Sequence, residues 1–115
     1  MGVDFSHGDA HFGHGSFRSF RRTLAAMIGV RLEEMRGFGG QRDWSEIGDP
    51  ITPLLWRNDA GGELSPEESR EVVDRLETLM ADERNRDQVI GDQWEELLAG
   101  LKEAADAGEP FVIMG

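Results

Sequence analysis

The strongest constraint on the fold lies after Ser65, where two stretches place apolar residues at three- and four-residue intervals. Val72, Val73, Leu76, Leu79 and Met80 fall on one helical face of the first stretch. Ile90, Trp94, Leu97, Leu98, Leu101 and Ala105 do so in the second. The first opens with Ser65-Pro66-Glu67-Glu68, which supplies a serine cap, a proline in the first turn and a glutamate placed for a capping box. The second is expected from about Asp87 to Ala107, after a charged break at Glu83–Arg86. Gly108 closes it and Pro110 prevents its continuation.

Helical spacing recurs upstream. Phe17, Phe20, Leu24, Met27 and Ile28 share a face of a helix capped by Ser16 and ended by Gly29. Arg31–Arg36 makes a short helix with Leu32 and Met35 inward. Asp49-Pro50 starts another with Ile51, Leu54 and Leu55 on its buried side. Val3–Phe5 and Phe111–Ile113 read as short strands, neither stable alone. Pairing them satisfies both. The expected fold is therefore mainly α: a single small domain over residues 1–115, with four to five helices and a minimal two-stranded sheet pairing the N- and C-terminal segments.

The chain has 115 residues and no cysteine, which excludes disulfide scaffolds, zinc knuckles and thiol chemistry. Its length suffices for a core without such staples. The N-terminus lacks a basic region followed by an apolar run, and no stretch is apolar for the roughly 20 residues a membrane span needs. A cytoplasmic protein with no membrane association is expected.

The formal net charge of -11 is unevenly placed. Residues 1–57 hold seven arginines and seven acids, whereas residues 58–115 hold sixteen acids against four arginines and Lys102. The whole excess thus lies beyond Arg57. Such a half repels phosphate backbones, so direct nucleic-acid binding is not expected, and it steers towards a basic protein surface.

Four groups of residues carry possible chemistry. The first is the N-terminal segment with Asp4, His7, Asp9, His11 and His14, in which all three histidines fall within eight residues. Imidazole and carboxylate suit a divalent metal such as zinc, nickel, copper or iron, although glycines interrupt the segment and favour a loop. No other cofactor is expected. The second is Gly13-His14-Gly15-Ser16, a glycine-rich entry to a helix carrying Arg18, Arg21 and Arg22. Backbone N–H groups and guanidinium suit an anion there. The alternative is that these arginines neutralise the acidic C-terminal helices.

The third group, Arg57 to Glu68, resembles a degenerate EF-hand loop. Asp59, Gly62, Leu64, Ser65 and Glu68 fit the third, sixth, eighth, ninth and twelfth positions. Arg57 stands where the first acidic ligand belongs, and Gly61 replaces another, so Asp59 and Glu68 are left as residual metal ligands. A metal-free helix–turn–helix joint is the expectation. The fourth is a His–Asp general base made from His7 and its flanking Asp4 or Asp9. No serine, cysteine or threonine stands in a recognisable nucleophile elbow, and no catalytic set is assigned.

Met1-Gly2-Val3-Asp4-Phe5-Ser6-His7, Asp9-Ala10, Phe17–Arg22, Gly37-Phe38-Gly39-Gly40, Gly62–Glu68 and the apolar C-terminus together resemble a group of small actinobacterial and actinophage proteins. The resemblance implies a bacterial or phage-encoded accessory protein and brings no catalytic residues with it. The favoured reading is a non-enzymatic interaction module whose acidic half meets a basic partner. The alternative is a metal- or anion-binding protein using the His/Asp loop. A homodimer is a third arrangement, resting on Phe12, Phe38 and Trp56 near loops.

Overall fold

The computed structural model describes residues 2–57, 61–89 and 91–115; the side chain of His14 lies outside the described residues. The chain order is β1 (Gly2–Phe5), β2 (Phe12–Gly13), α1 (His14–Met27), a 3-10 turn at Leu32–Glu34, a second at Trp44–Glu46, α2 (Thr52–Trp56), β3 (Glu63–Leu64), α3 (Pro66–Met80), α4 (Glu83–Gln88), α5 (Gln93–Ala107) and β4 (Phe111–Met114).

The mainly α expectation is overturned. The domain is α+β, with a four-stranded antiparallel sheet in the order β2-β1-β4-β3. The two terminal strands do pair, Asp4 with Met114 and Phe5 with Ile113. They form the centre of a sheet rather than the whole of one. Each recruits a two-residue edge strand, Phe12 opposite Val3 and Leu64 opposite Phe111. Strands this short carry no readable alternation of their own. Their conformation is set by the hydrogen-bonding edge they complete.

The sheet shows its period of two in burial. Val3, Phe5, Phe111 and Ile113 face the core, while Asp4 and Met114 face outward. Phe5 stacks on Phe111 at 5.2 Å and meets Phe17 of α1 edge-on at 5.6 Å. Phe12 stacks on Phe20 at 5.2 Å, so α1 is fastened to the sheet through aromatic rings.

Helix α3 begins as its sequence dictates, with Ser65 and Glu68 exchanging the two bonds of a capping box. Val72, Leu76, Leu97 and Leu101 are fully buried where α3 and α5 pack together. Truncating Leu76 to alanine there costs about 2–5 kcal/mol. The long last helix expected from Asp87 is in fact two. The charged stretch Glu83–Gln88 is α4, capped by Asp82, and Gly91 breaks the chain with a φ of +78° before α5. Ile90 lies outside the described residues. Helix α1 starts two residues before Ser16, with Gly13 as its cap, and α2 starts at Thr52 after Asp49 accepts from the Ile51 N–H.

Arg21 is the one buried charged residue among those described, 3% exposed. It donates from Nε to the Leu54 carbonyl (3.1 Å) and from a terminal nitrogen to the Arg57 carbonyl (2.6 Å). Its guanidinium lies 4.2 Å from the Phe17 ring centre. It thereby satisfies carbonyls at the C-terminal end of α2 and locks that helix to α1.

Candidate functional site

Extending the β1–β4 pairing by one step brings Ser6 opposite Val112. The Ser6 N–H donates to the Val112 carbonyl (3.0 Å), and the Val112 N–H donates back to Ser6 Oγ (2.9 Å). Ser6 Oγ also lies 2.7 Å from His7 Nδ1, and His7 Nε2 lies 3.0 Å from Glu109 Oε1. A carboxylate only accepts, so Nε2 carries the proton in the neutral ring and Nδ1 accepts from the serine hydroxyl. One directed chain results: Val112 N–H to Ser6 Oγ, Ser6 O–H to His7 Nδ1, His7 Nε2–H to Glu109.

The backbone fixes this corner. A β-carbon on Gly100 of α5 would fall 2.3 Å from the His7 carbonyl oxygen, and one on Gly8 would fall 2.8 Å from the Gly100 Cα. Loop and helix therefore touch through their main chains, a contact only glycine permits. The imidazole lies over Phe111 with ring centres 6.4 Å apart. His7 keeps only 13% of its side chain exposed, against 60% for Glu109.

His11 has a different partner and setting. One register step beyond the Val3–Phe12 pair, its Nδ1 meets Asp4 Oδ1 at 2.6 Å across the strands. Its ring lies over Gly2, where a β-carbon would come within 2.6 Å of it. Both partners are about three-fifths exposed. His11 borders a cavity of about 600 Å³ between α1 and the α4–α5 junction, lined also by Ser16, Ser19, Phe20, Gln88 and Gln93. Among the described residues it has no charged aspartate, glutamate, lysine or arginine lining it. Gln93 Oε1 accepts from the His11 N–H at 2.9 Å and closes one end.

The structure thus separates the residues grouped at the N-terminus. His7 pairs with Glu109 rather than with Asp4 or Asp9, while Asp4 serves His11. Asp9 is exposed and forms no hydrogen bond or ion pair among the described residues. Among the described residues, no three His, Asp or Glu side chains are placed to share an ion. The helix entry does not gather its arginines either. Arg18 lies over Phe38 at 5.6 Å and Arg22 pairs with Glu33 at 2.5 Å, so neither reaches α3 or α5.

In the EF-like turn, Asp59 lies outside the described residues. Glu68 is engaged from both sides. Its Oε1 accepts from the Ser65 N–H at 2.9 Å, and its Oε2 accepts from Arg57 at 2.5 Å. Arg57 Nε also donates to the Glu63 carbonyl at 2.9 Å. These two acceptors, at the seventh and twelfth positions, are ones an EF-hand offers to calcium. Here a guanidinium takes them. Burial pushes the Glu68 carboxyl up, but the Ser65 and Arg57 hydrogen bonds outweigh it and hold its pKa below the ordinary value. Leu64, at the eighth position, pairs with Phe111 of β4.

Of the residues proposed for a dimer surface, Phe12 is buried and Phe38 meets Trp44 edge-on, which leaves Trp56 exposed beside Arg57. Sequence reasoning missed Ser6 and Glu109 as partners of His7, and Gln93 as the partner of His11. The expected pairing of the chain's two terminal strands was the available signal for the first pair. No helix is long and apolar enough to cross a membrane among the described residues. Comparison with known protein families, characterised proteins and solved structures finds no match.

Proposed function

We propose that the chain is a protein-interaction module, without a catalytic turnover of its own, whose α3–α5 face meets a basic surface on another protein. One observation carries the reading. Glu67, Glu71 and Asp74 on α3, and Glu95, Glu103 and Asp106 on α5, are exposed and form no ion pair among the described residues. The cations nearest to hand are already used. Lys102 reaches Glu77 at 3.4 Å, Arg70 donates to the Ala105 carbonyl, and Arg75 holds Asp49 at 3.0 Å. The two helices pack side by side, and these six carboxylates outnumber Arg70, the one cation of the pair that no carboxylate holds among the described residues, so the excess negative charge favours a cationic partner. The resemblance to small actinobacterial and actinophage proteins supports an accessory role of this kind in the bacterial cytoplasm.

The test compares the immobilised chain with a variant carrying Glu71→Gln, Asp74→Gln, Glu103→Gln and Asp106→Gln. At low salt the native chain should retain a basic protein from a bacterial extract, and the variant should not. Raising salt to several tenths molar should release it, because the screening length then falls well below 10 Å. Equal retention by both forms would refute the assignment.

A further inference from the structure

We propose that Ser6 is an activated nucleophile and a site of covalent acylation by activated carboxylic esters, a property independent of the acidic face. The signature of such a site is a hydroxyl and a base within hydrogen-bond reach, with the base oriented by a third group. Ser6, His7 and Glu109 meet it at 2.7 and 3.0 Å.

Ending the β1–β4 ladder needs Ser6 Oγ only as an acceptor for the Val112 N–H, at 2.9 Å. An exposed serine would then leave its own proton to water. Here that proton is directed at an imidazole nitrogen whose opposite nitrogen is tied to a carboxylate. The base is sheltered, with 13% of its side chain exposed, while the nucleophile is open to solvent. The Gly8–Gly100 contact and the Phe111 ring fix the imidazole, so its geometry is set before any reagent arrives. The Val112 N–H also stabilises negative charge that develops on Oγ. The ring nitrogens serve in the reverse order from the serine-protease triad, where Nε2 takes the serine proton; both nitrogens of imidazole are competent bases.

In the reaction, Ser6 Oγ attacks the ester carbonyl carbon and the Ser6 proton passes to His7 Nδ1. The bond from that carbon to the leaving oxygen then breaks, and His7 returns the proton to the leaving group. One ester is consumed, and one O-acyl serine and one alcohol or phenol are formed. Glu109 acts as a positioning residue that keeps Nδ1 free to accept.

The full chain is incubated with p-nitrophenyl acetate and analysed by intact mass and peptide mapping. A single acetyl group should appear on Ser6, well ahead of the exposed Ser16 and Ser45. Ser6→Ala should abolish the adduct. His7→Gln should slow it about 100-fold, and Glu109→Gln should slow it less. Circular dichroism of each variant confirms that it is folded. Acetylation of Ser6 no faster than of Ser16 or Ser45, a dominant adduct elsewhere, or an unchanged rate in folded His7→Gln would each overturn the proposal.

Discussion

His7 and His11 stand four residues apart, and each pairs with one carboxylate, yet the two pairs are physically unlike. His11 takes its partner from seven residues away, at the rim of a cavity, with both side chains well solvated. His7 takes its partner from 102 residues away, in a corner where loop and helix touch through glycine backbones beside the Phe111 ring of β4. The first is a solvated surface contact of small consequence. The second is part of a directed hydrogen-bond chain that a packed backbone holds in place. Pairing chemistry alone thus says little about a histidine; what encloses the pair decides its role.

The largest blow to that contrast should come from Gly100→Ala. The new methyl meets a backbone carbonyl that cannot swing aside, so a loss of about 1–3 kcal/mol is expected, read as a lower urea midpoint at unchanged slope. A midpoint equal to the native one would show that the loop is not clamped. His7→Ala should follow, at about 1–2 kcal/mol, since it removes a mostly buried ring and its hydrogen bonds.

The Arg57–Glu68 pair, with side chains 20% and 31% exposed, lies between the two cases and offers a pH test. The folded carboxyl has its pKa depressed below about 4.5, so its contribution is full above that value and is lost as pH falls through the folded pKa. Acid unfolding of Glu68→Gln should therefore show a shallower dependence below pH 4.5 than the native chain. Matching pH profiles would remove the pair from any role in acid stability. The smallest effect belongs to His11→Ala, which should change stability by less than about 0.5 kcal/mol. A loss as large as that of His7→Ala would erase the distinction between the two corners.

The candidate site was half legible. His7 stood out by type, and the pairing of Phe5 with the C-terminal strand was inferred from two short apolar runs that each needed a partner. Carrying that register one residue further places Ser6 beside Val112 and Glu109 within reach of His7. Nothing in the local sequence marks Glu109 among sixteen acids in its half of the chain. The flanking Asp4 and Asp9 looked better because they were near in sequence. They are not near in the sense that matters. Alternation along β1 sends Asp4 to His11, one residue before β2, and Asp9 lies in the loop between the two strands.

The sequence by itself determined the elements whose signals are local and repeated. The apolar stripe of α3, its Ser65–Glu68 capping box and the alternation of Val3 and Phe5 are written within a few turns or pairs of residues, and they form where expected. Tertiary structure alone decided the edge strands and the sites. Phe12–Gly13 and Glu63–Leu64 are extended because β1 and β4 offer them hydrogen-bonding edges. Arg57 closes the EF-like turn because its guanidinium reaches both Glu63 and Glu68. Ser6, His7 and Glu109 meet because the sheet brings the chain's two terminal strands side by side. Such meetings depend on register between distant segments, and a one-residue slip would turn each strand's side chains to the other face. That information lies in the pairing and not in either strand.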